Sequence, residues 1–367
     1  LSFGGNSRRE FFPSASACED FVSDVEGPET CNTYNMLKLT EDLFRKSPKA
    51  EFMDFYERAM FNHILSTQHP EHGGYVYFTP ARPRHYRVYS APNEAMWCCV
   101  GSGMENHGKY NQQIFTHSGD SLFVNLFIHS ELNWKAKKMI ITQETGFPYQ
   151  EKTRLSINKG SGSFCMMIRY PSWVKDKSFE VRVNGKKVDF SNQPSSYISV
   201  KRMWKKGDIV EVKFKMSDTI EHLPNVPGYI SIMHGPVLLG AKTGTNDLYG
   251  LVANDSRWGH IASGKKLPVD KAPIIIEDNP ETIASKIVMV DSSKLTFKFK
   301  NIKFENQQDL VLEPFSNIHD ARYIIYWMNL TNSQYRSYLD SVAVVENEKI
   351  ALQNRTIDFV SPGEQQP

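Results

Sequence analysis

The hydrophobic period of this 367-residue chain changes once, near residue 120, and that change constrains the fold more than any other feature. From Ser121 onward apolar residues recur at every second position, in runs at 121–128, 138–143, 153–157, 164–170, 179–183, 197–200, 209–214 and 229–233. These runs are short, rich in β-branched and aromatic residues, and separated by Gly, Pro, Asn or Lys-Gly turns, a pattern that predicts antiparallel β-sandwich structure. Upstream the rhythm is helical. Tyr34, Leu37, Leu43 and Phe44 fall near one face, and Ser47-Pro48 marks a stop. Phe52, Met53, Tyr56, Met60, Ile64 and Leu65 then repeat at helical spacing, so residues 30–67 predict a helical hairpin. Tyr75, Tyr77, Tyr86 and Val88 alternate as strands around a turn at 80–83. A third helix is expected from Gly103 through Met104, His107, Tyr110, Ile114 and Phe115 to the Ser118-Gly119-Asp120 turn.

The expected organisation is therefore an α+β multidomain chain. Residues 1–120 form a helical unit and 121–240 a β-sandwich. Residues 241–345 comprise a Pro-, Asp- and Lys-rich insertion followed by returning sandwich strands at 286–300 and 308–313. Residues 346–367, ending in Ser-Pro-Gly-Glu-Gln-Gln-Pro, read as a linker or the start of a further domain. With 43 basic and 41 acidic residues the net charge is +2, too small a field to make nucleic acid or an anionic membrane the main partner. No apolar run approaches the roughly 18–20 residues of a membrane span. The 16 Tyr and 6 Trp suit stacking on sugars, although a β-rich core uses the same residues.

Chemistry is concentrated in the cysteines. Cys31 follows Glu29-Thr30 at the start of the first long helix, and Cys98-Cys99 precede Val-Gly-Ser-Gly and another helix. Unpaired N–H groups and the positive end of the helix dipole at such a place favour a thiolate. Three thiols and one carboxylate make a plausible tetrahedral set for zinc. The Cys-Cys spacing matches no common zinc ribbon or thioredoxin-like motif, so buried structural thiols and redox chemistry stay open beside a metal site. Cys165, in the strand Phe164-Cys165-Met166, reads as a core residue, and Cys18 has no assigned role. Glu10 lies between Ser-Arg-Arg and Phe-Phe-Pro, a cation on one side and an apolar wall on the other.

Several segments taken together resemble glycoside hydrolase families 127 and 146. They are Gly4-Gly5-Asn6-Ser7 with Arg9-Glu10, Glu29-Thr30-Cys31-Asn32, and Trp97-Cys98-Cys99-Val100-Gly101-Ser102-Gly103-Met104-Glu105-Asn106. Downstream, Leu122-Phe123-Val124-Asn125-Leu126-Phe127, Arg169-Tyr170-Pro171-Ser172-Trp173 and Val183-Asn184-Gly185 resemble the sandwich domains of the same families. The resemblance implies an (α/α)6 barrel followed by β-sandwiches, and retaining hydrolysis of β-L-arabinofuranosides. It implies Zn2+ held by Glu29, Cys31, Cys98 and Cys99, Cys98 as nucleophile and Glu10 as acid/base. Tyr77, or Tyr75 on the same strand face, matches an aromatic that touches the sugar. Such a barrel has many more helices than the three legible here, so the N-terminal part of the catalytic domain is expected to be missing from this chain.

The implied partner is an arabinofuranosyl-containing glycan, with neither nucleic acid nor membrane, and the oligomeric state is unreadable. A periplasmic or secreted bacterial location is the expectation, the cytoplasm its alternative. Two rival functions are a carbohydrate-binding module with a structural zinc and no turnover, and a thiol-redox protein using Cys98-Cys99.

Overall fold

A computed structural model describes residues 1–14, 18–256, 258–307 and 309–357. A five-residue helix, α1 (Glu19–Ser23), precedes the expected hairpin of α2 (Thr30–Lys46) and α3 (Ala50–Ala59). Ser47 ends α2 in extended backbone, as the following Pro48 requires. Helix α3 continues through a π-helical turn, Met60–Ile64, and a 3-10 turn, Leu65–Thr67. Leu37, Phe44, Met53, Tyr56, Met60 and Ile64 share one core and Tyr34 is buried outside it, whereas Leu43 is 40% exposed and turned away.

The third long helix, α4 (Cys98–His107), starts earlier than expected and ends well before Phe115, which lies in a strand. Gly101 and Gly103 disguise the first turns as loop. Gly103 is required there, because a Cβ would stand 2.5 Å from the Tyr75 ring. The stretch around Tyr75 and Tyr77 is irregular, held by single bridges such as Gln68 to Tyr75 and Val76 to Tyr89 rather than by full strands. The first 120 residues are thus mixed, not wholly helical.

Beyond them lie three larger sheets. One has four strands in the order Ser196–Lys205, Ser161–Tyr170, Ser121–Val124 and Phe115–Ser118. A second, of six antiparallel strands, runs Ser130–Trp134, Met139–Thr145, Lys152–Lys159, Ile209–Phe214, Phe179–Val183 and Lys186–Lys187. Both contribute to one core containing Leu122, Val124, Met166, Ile168, Ile141, Leu155, Val181 and Val212. Alternation sends Phe123, Met167 and Tyr197 to the other side of the four-stranded sheet, where they pack on the α2–α3 hairpin. Phe44 meets Phe123 edge to face at 5.8 Å. Arg169 reaches back from the same sheet to Asp54 of α3 at 2.6 Å and to the buried Glu57.

The third sheet has ten strands and begins at Asp218, not after residue 240. Val226–His234 pairs with Val237–Gly244 and with Trp327–Leu330, so 229–233 and the later strands build one sheet of their own. Alternation alone reports that a strand exists, not which sheet it joins. The segment before Ile274 is no detached excursion, since Val252–Ala253 pairs in parallel with Tyr89–Ser90 of the helical part. Asn332–Ile357 forms a helix, α5, where a linker was expected from residue 346; Glu346 on it pairs with buried Arg82. The rest of that expected linker, 358–367, lies outside the described residues. Among the described residues no helix is long and apolar enough to cross a membrane.

Candidate metal centre and active site

Two chain reversals bring the site together. Glu29 sits in extended backbone ahead of α2, its N–H donating to Ser7 Oγ at 2.9 Å. The Thr30 hydroxyl donates to the Val76 carbonyl at 2.7 Å, which ties the start of α2 to the Tyr75–Phe78 stretch. Cys31 then points from the first turn of α2. Trp97 caps α4, so Cys98 and Cys99 are its first two residues, among the N–H groups that lack intrahelical acceptors.

One ligand atom from each of Glu29, Cys31, Cys98 and Cys99 lies within 4.8 Å of all the others. Sulfur–sulfur distances are 3.0 Å for Cys31–Cys99 and 3.9 Å for Cys98–Cys99. Glu29 Oε1 is 3.6 Å from Cys98 Sγ and 3.7 Å from Cys99 Sγ. With Zn–S bonds of about 2.3 Å, tetrahedral ligands stand about 3.5–3.8 Å apart, so three of these four separations suit such an ion as they are. Cys31 needs a small outward shift, and its present partner Ser102 Oγ is 3.0 Å away. The cluster can therefore hold a metal ion, with a donor set suited to zinc.

The groups polarise one another. Contacts with the Cys31 and Cys99 thiols hold Cys98 far below the ordinary thiol range. The same coupling to Cys98 pushes Cys31 up to about 12, and burial pushes Cys99 up. Burial first, and the Cys98 charge second, raise Glu29 to about 7. These contacts favour the thiolate at Cys98 over its two neighbours. Cys98 is exposed as a residue, whereas Cys99 is fully buried and Cys31 partly so.

Glu10 stands beside this cluster, exposed, and accepts a hydrogen bond of 2.6 Å from the Tyr77 hydroxyl. Tyr77, 7% exposed, packs with Phe78 and Cys99. Tyr75 instead faces α4 and takes a bond from Gln68 at 3.3 Å. Glu10, Glu29, Cys31, Tyr77, Cys98 and Cys99 therefore adjoin one place, and Tyr75, the alternative to Tyr77, does not bond to Glu10. Two neighbours were not foreseen as site residues: Ser102 within the Cys-Cys segment, and His260, which stacks on Tyr77 at 4.2 Å. The aromatic pair Trp258 and His260 in a loop was the only available signal for the latter. Cys18 is buried with Phe21 and Val22. Cys165 is half-buried, not a core residue, because its strand parity faces it away from Phe164 and Met166, with Sγ 2.9 Å from Ser199 Oγ.

Comparison with known families places residues 2–112 in the β-L-arabinofuranosidase GH127 catalytic domain and 121–216 in the GH127 middle domain. The chain belongs to glycoside hydrolase family 127. Residues 219–329 match a domain of unknown function, whose start coincides with the ten-stranded sheet. Among solved structures, a GH127 β-arabinofuranosidase shares 22% identity and a TM-score of 0.63, over 84% of this chain and 50% of its own. A GH127 β-L-arabinofuranosidase from Geobacillus stearothermophilus T6 shares 18% identity and a TM-score of 0.61, over 84% and 51%. A third, a glycoside hydrolase, shares 19% and 0.62, over 83% and 52%. These similarities bear on the fold, a mixed helix and sheet architecture; the chain spans about half the length of each. A comparison with curated proteins found no match.

Proposed function

We propose that the protein is a retaining glycosidase that releases β-L-arabinofuranosyl groups from plant-type glycans, with Cys98 as nucleophile and Glu10 as acid/base. The observation that carries this reading is the convergence of three sulfurs and the Glu29 carboxylate at the start of α4, with Cys98 the most exposed of the four residues. Glu29, Cys31, Cys98 and Cys99 would hold zinc, which keeps the attacking sulfur deprotonated at neutral pH and tempers its basicity. The Cys98 sulfur attacks the anomeric carbon while Glu10, protonated, gives its proton to the departing oxygen. Glu10 then takes a proton from water, whose oxygen attacks the same carbon as the carbon–sulfur bond breaks and the thiolate returns. Two inversions give net retention. Tyr77, bonded to Glu10, fixes the direction of that carboxyl group.

The architecture follows the same reading. Residues 1–120 are the C-terminal part of an (α/α)6 barrel, and the four- and six-stranded sheets with their common core form a β-sandwich. The test is hydrolysis of an aryl β-L-arabinofuranoside, with the anomer of the first product read by NMR and metal counted per chain. Zinc bound without turnover would make the protein a sugar-binding module with a structural metal. Inverted product would remove the covalent step.

A further inference from the structure

The segment between two strands of the ten-stranded sheet, Val237–Gly244 and Ile274–Ile276, has no part in the catalytic sequence motifs, yet it returns to the thiolate site. It is fastened along its length. The Tyr86 hydroxyl donates to the Tyr249 carbonyl at 2.5 Å and accepts from the Gly264 N–H at 2.7 Å. Gly264 must be glycine, since a Cβ would lie 2.6 Å from that hydroxyl. Val252–Ala253 pairs in parallel with the Tyr89–Ser90 strand, and Asp255 accepts from the Met96 N–H at 2.8 Å, two residues before Cys98. Leu248, Leu251, Ala253 and Ala262 pack with Tyr86, Val88 and Trp97. Between these fastenings His260 lies over the Tyr77 ring at 4.2 Å and 27°, and meets the Trp97 ring edge-on at 5.5 Å. Ile261 packs on the cluster of Tyr77, Phe78 and Cys99.

We infer that His260 is a positioning residue, which holds the Tyr77 phenol on Glu10 and so aims the proton that leaves with the glycan. The segment that carries it is a wall of the active site. The inference rests on the reading of Glu10 as proton donor. The physical argument is mechanical. The Tyr77 ring is bounded by Phe78 at 4.6 Å and Trp97 at 6.4 Å as well as by His260, and the His260 stack is the closest and most nearly parallel of the three. Without it the ring can rock, and the hydroxyl at its far end sweeps furthest. A general acid is worth about 10²–10⁴ in rate only when it sits within hydrogen-bond reach of its target.

The discriminating measurement is the dependence on leaving group in His260→Ala and His260→Phe, made in the full chain with zinc content checked. A methyl glycoside needs the proton; a dinitrophenyl glycoside leaves almost unaided. His260→Ala should lower kcat about tenfold or more for the methyl glycoside with little change in KM, and clearly less for the dinitrophenyl glycoside. His260→Phe, which keeps a flat ring, should recover most of the loss. Equal losses on both substrates, or none on either, would overturn the assignment. Fluorotyrosine at Tyr77 supplies a readout independent of turnover. Its 19F resonance should be single and sharp in the wild type, broadened in His260→Ala and sharp again in His260→Phe. If the wild type cleaves no arabinofuranoside the proposed function fails, and the resonance still decides whether His260 holds the ring. Identical spectra in all three proteins would refute it.

Discussion

The hydroxyl of Tyr77 donates a 2.6 Å hydrogen bond to Oε1 of Glu10, and this bond couples the proposed proton donor to the aromatic wall of the thiolate site. Tyr77→Phe removes the donor and keeps the ring. We expect kcat to fall about tenfold, with zinc content unchanged, because orientation of the acid and the phenol's contact with Cys98 are lost while all four metal ligands remain. A drop in bound zinc equal to the drop in rate would assign Tyr77 to the metal centre instead.

Removal of metal should be legible in stability as well as in activity. Glu29 is pushed up to about 7, chiefly by burial, so in the metal-free protein the folded chain keeps a proton that the unfolded chain releases above about pH 4.3. That contribution is complete below the unfolded pKa and is lost as pH rises through about 7. Metal-free wild type should therefore lose more stability between about pH 5 and pH 8 than metal-free Glu29→Gln. Added zinc should raise the Tm of the wild type, more at the higher pH, where the carboxylate is already free to bind. Parallel denaturant curves for the two metal-free proteins at both pH values would contradict the burial argument.

Arg169 is fully buried, with Asp54 at 2.6 Å, Glu57 as a second partner, and the Asn125 carbonyl at 2.5 Å. Trp173 Nε1 donates to the other oxygen of Glu57 at 2.7 Å. Arg169→Met leaves two carboxylates without their cation between α3 and the four-stranded sheet. Stability should fall by about 3–5 kcal/mol. Urea unfolding would show it as a lower midpoint at unchanged slope; a loss under about 1 kcal/mol would mean the site rehydrates cheaply.

The candidate site was legible in the sequence because its ligands are local. Glu29 and Cys31 are two residues apart at one helix start, and Cys98 and Cys99 are adjacent at another. Arg169 and Trp173 stood out only as parts of a motif, and their service to Glu57 is a contact across the chain that no spacing encodes. His260 was illegible for the same reason. The start of α4 was misplaced because Gly101 and Gly103 lower local helix propensity, and the need for Gly103 arises from the Tyr75 ring. Strands were found but assigned to the wrong sheet after residue 217, since a period of two carries no record of its partner. The Asn332–Ile357 helix shows a weak apolar periodicity, with Val344 and Leu352 exposed, so composition pointed to a linker there.

Cys98 and Cys99 offer the sharpest separation of roles within one site. Both sulfurs face Glu29 at similar distances, 3.6 and 3.7 Å, so both are expected as zinc ligands. Only Cys98 is exposed and drawn toward the thiolate, whereas Cys99 is sealed under Tyr77 and Phe78 and pushed toward the thiol. Cys98→Ser should abolish turnover while part of the zinc remains, because a serine hydroxyl is a far weaker nucleophile than a thiolate. Cys99→Ser should lose metal and activity together, since a buried ligand has no replacement from solvent. A slow or mechanism-based arabinofuranosyl reagent followed by peptide mapping locates the bond directly. We expect the sugar on the peptide containing Cys98, with fragmentation placing it on the first sulfur of the pair. A label on Glu10 or Glu29 instead would make the enzyme a carboxylate glycosidase with a structural metal, and Cys98 would lose its catalytic role.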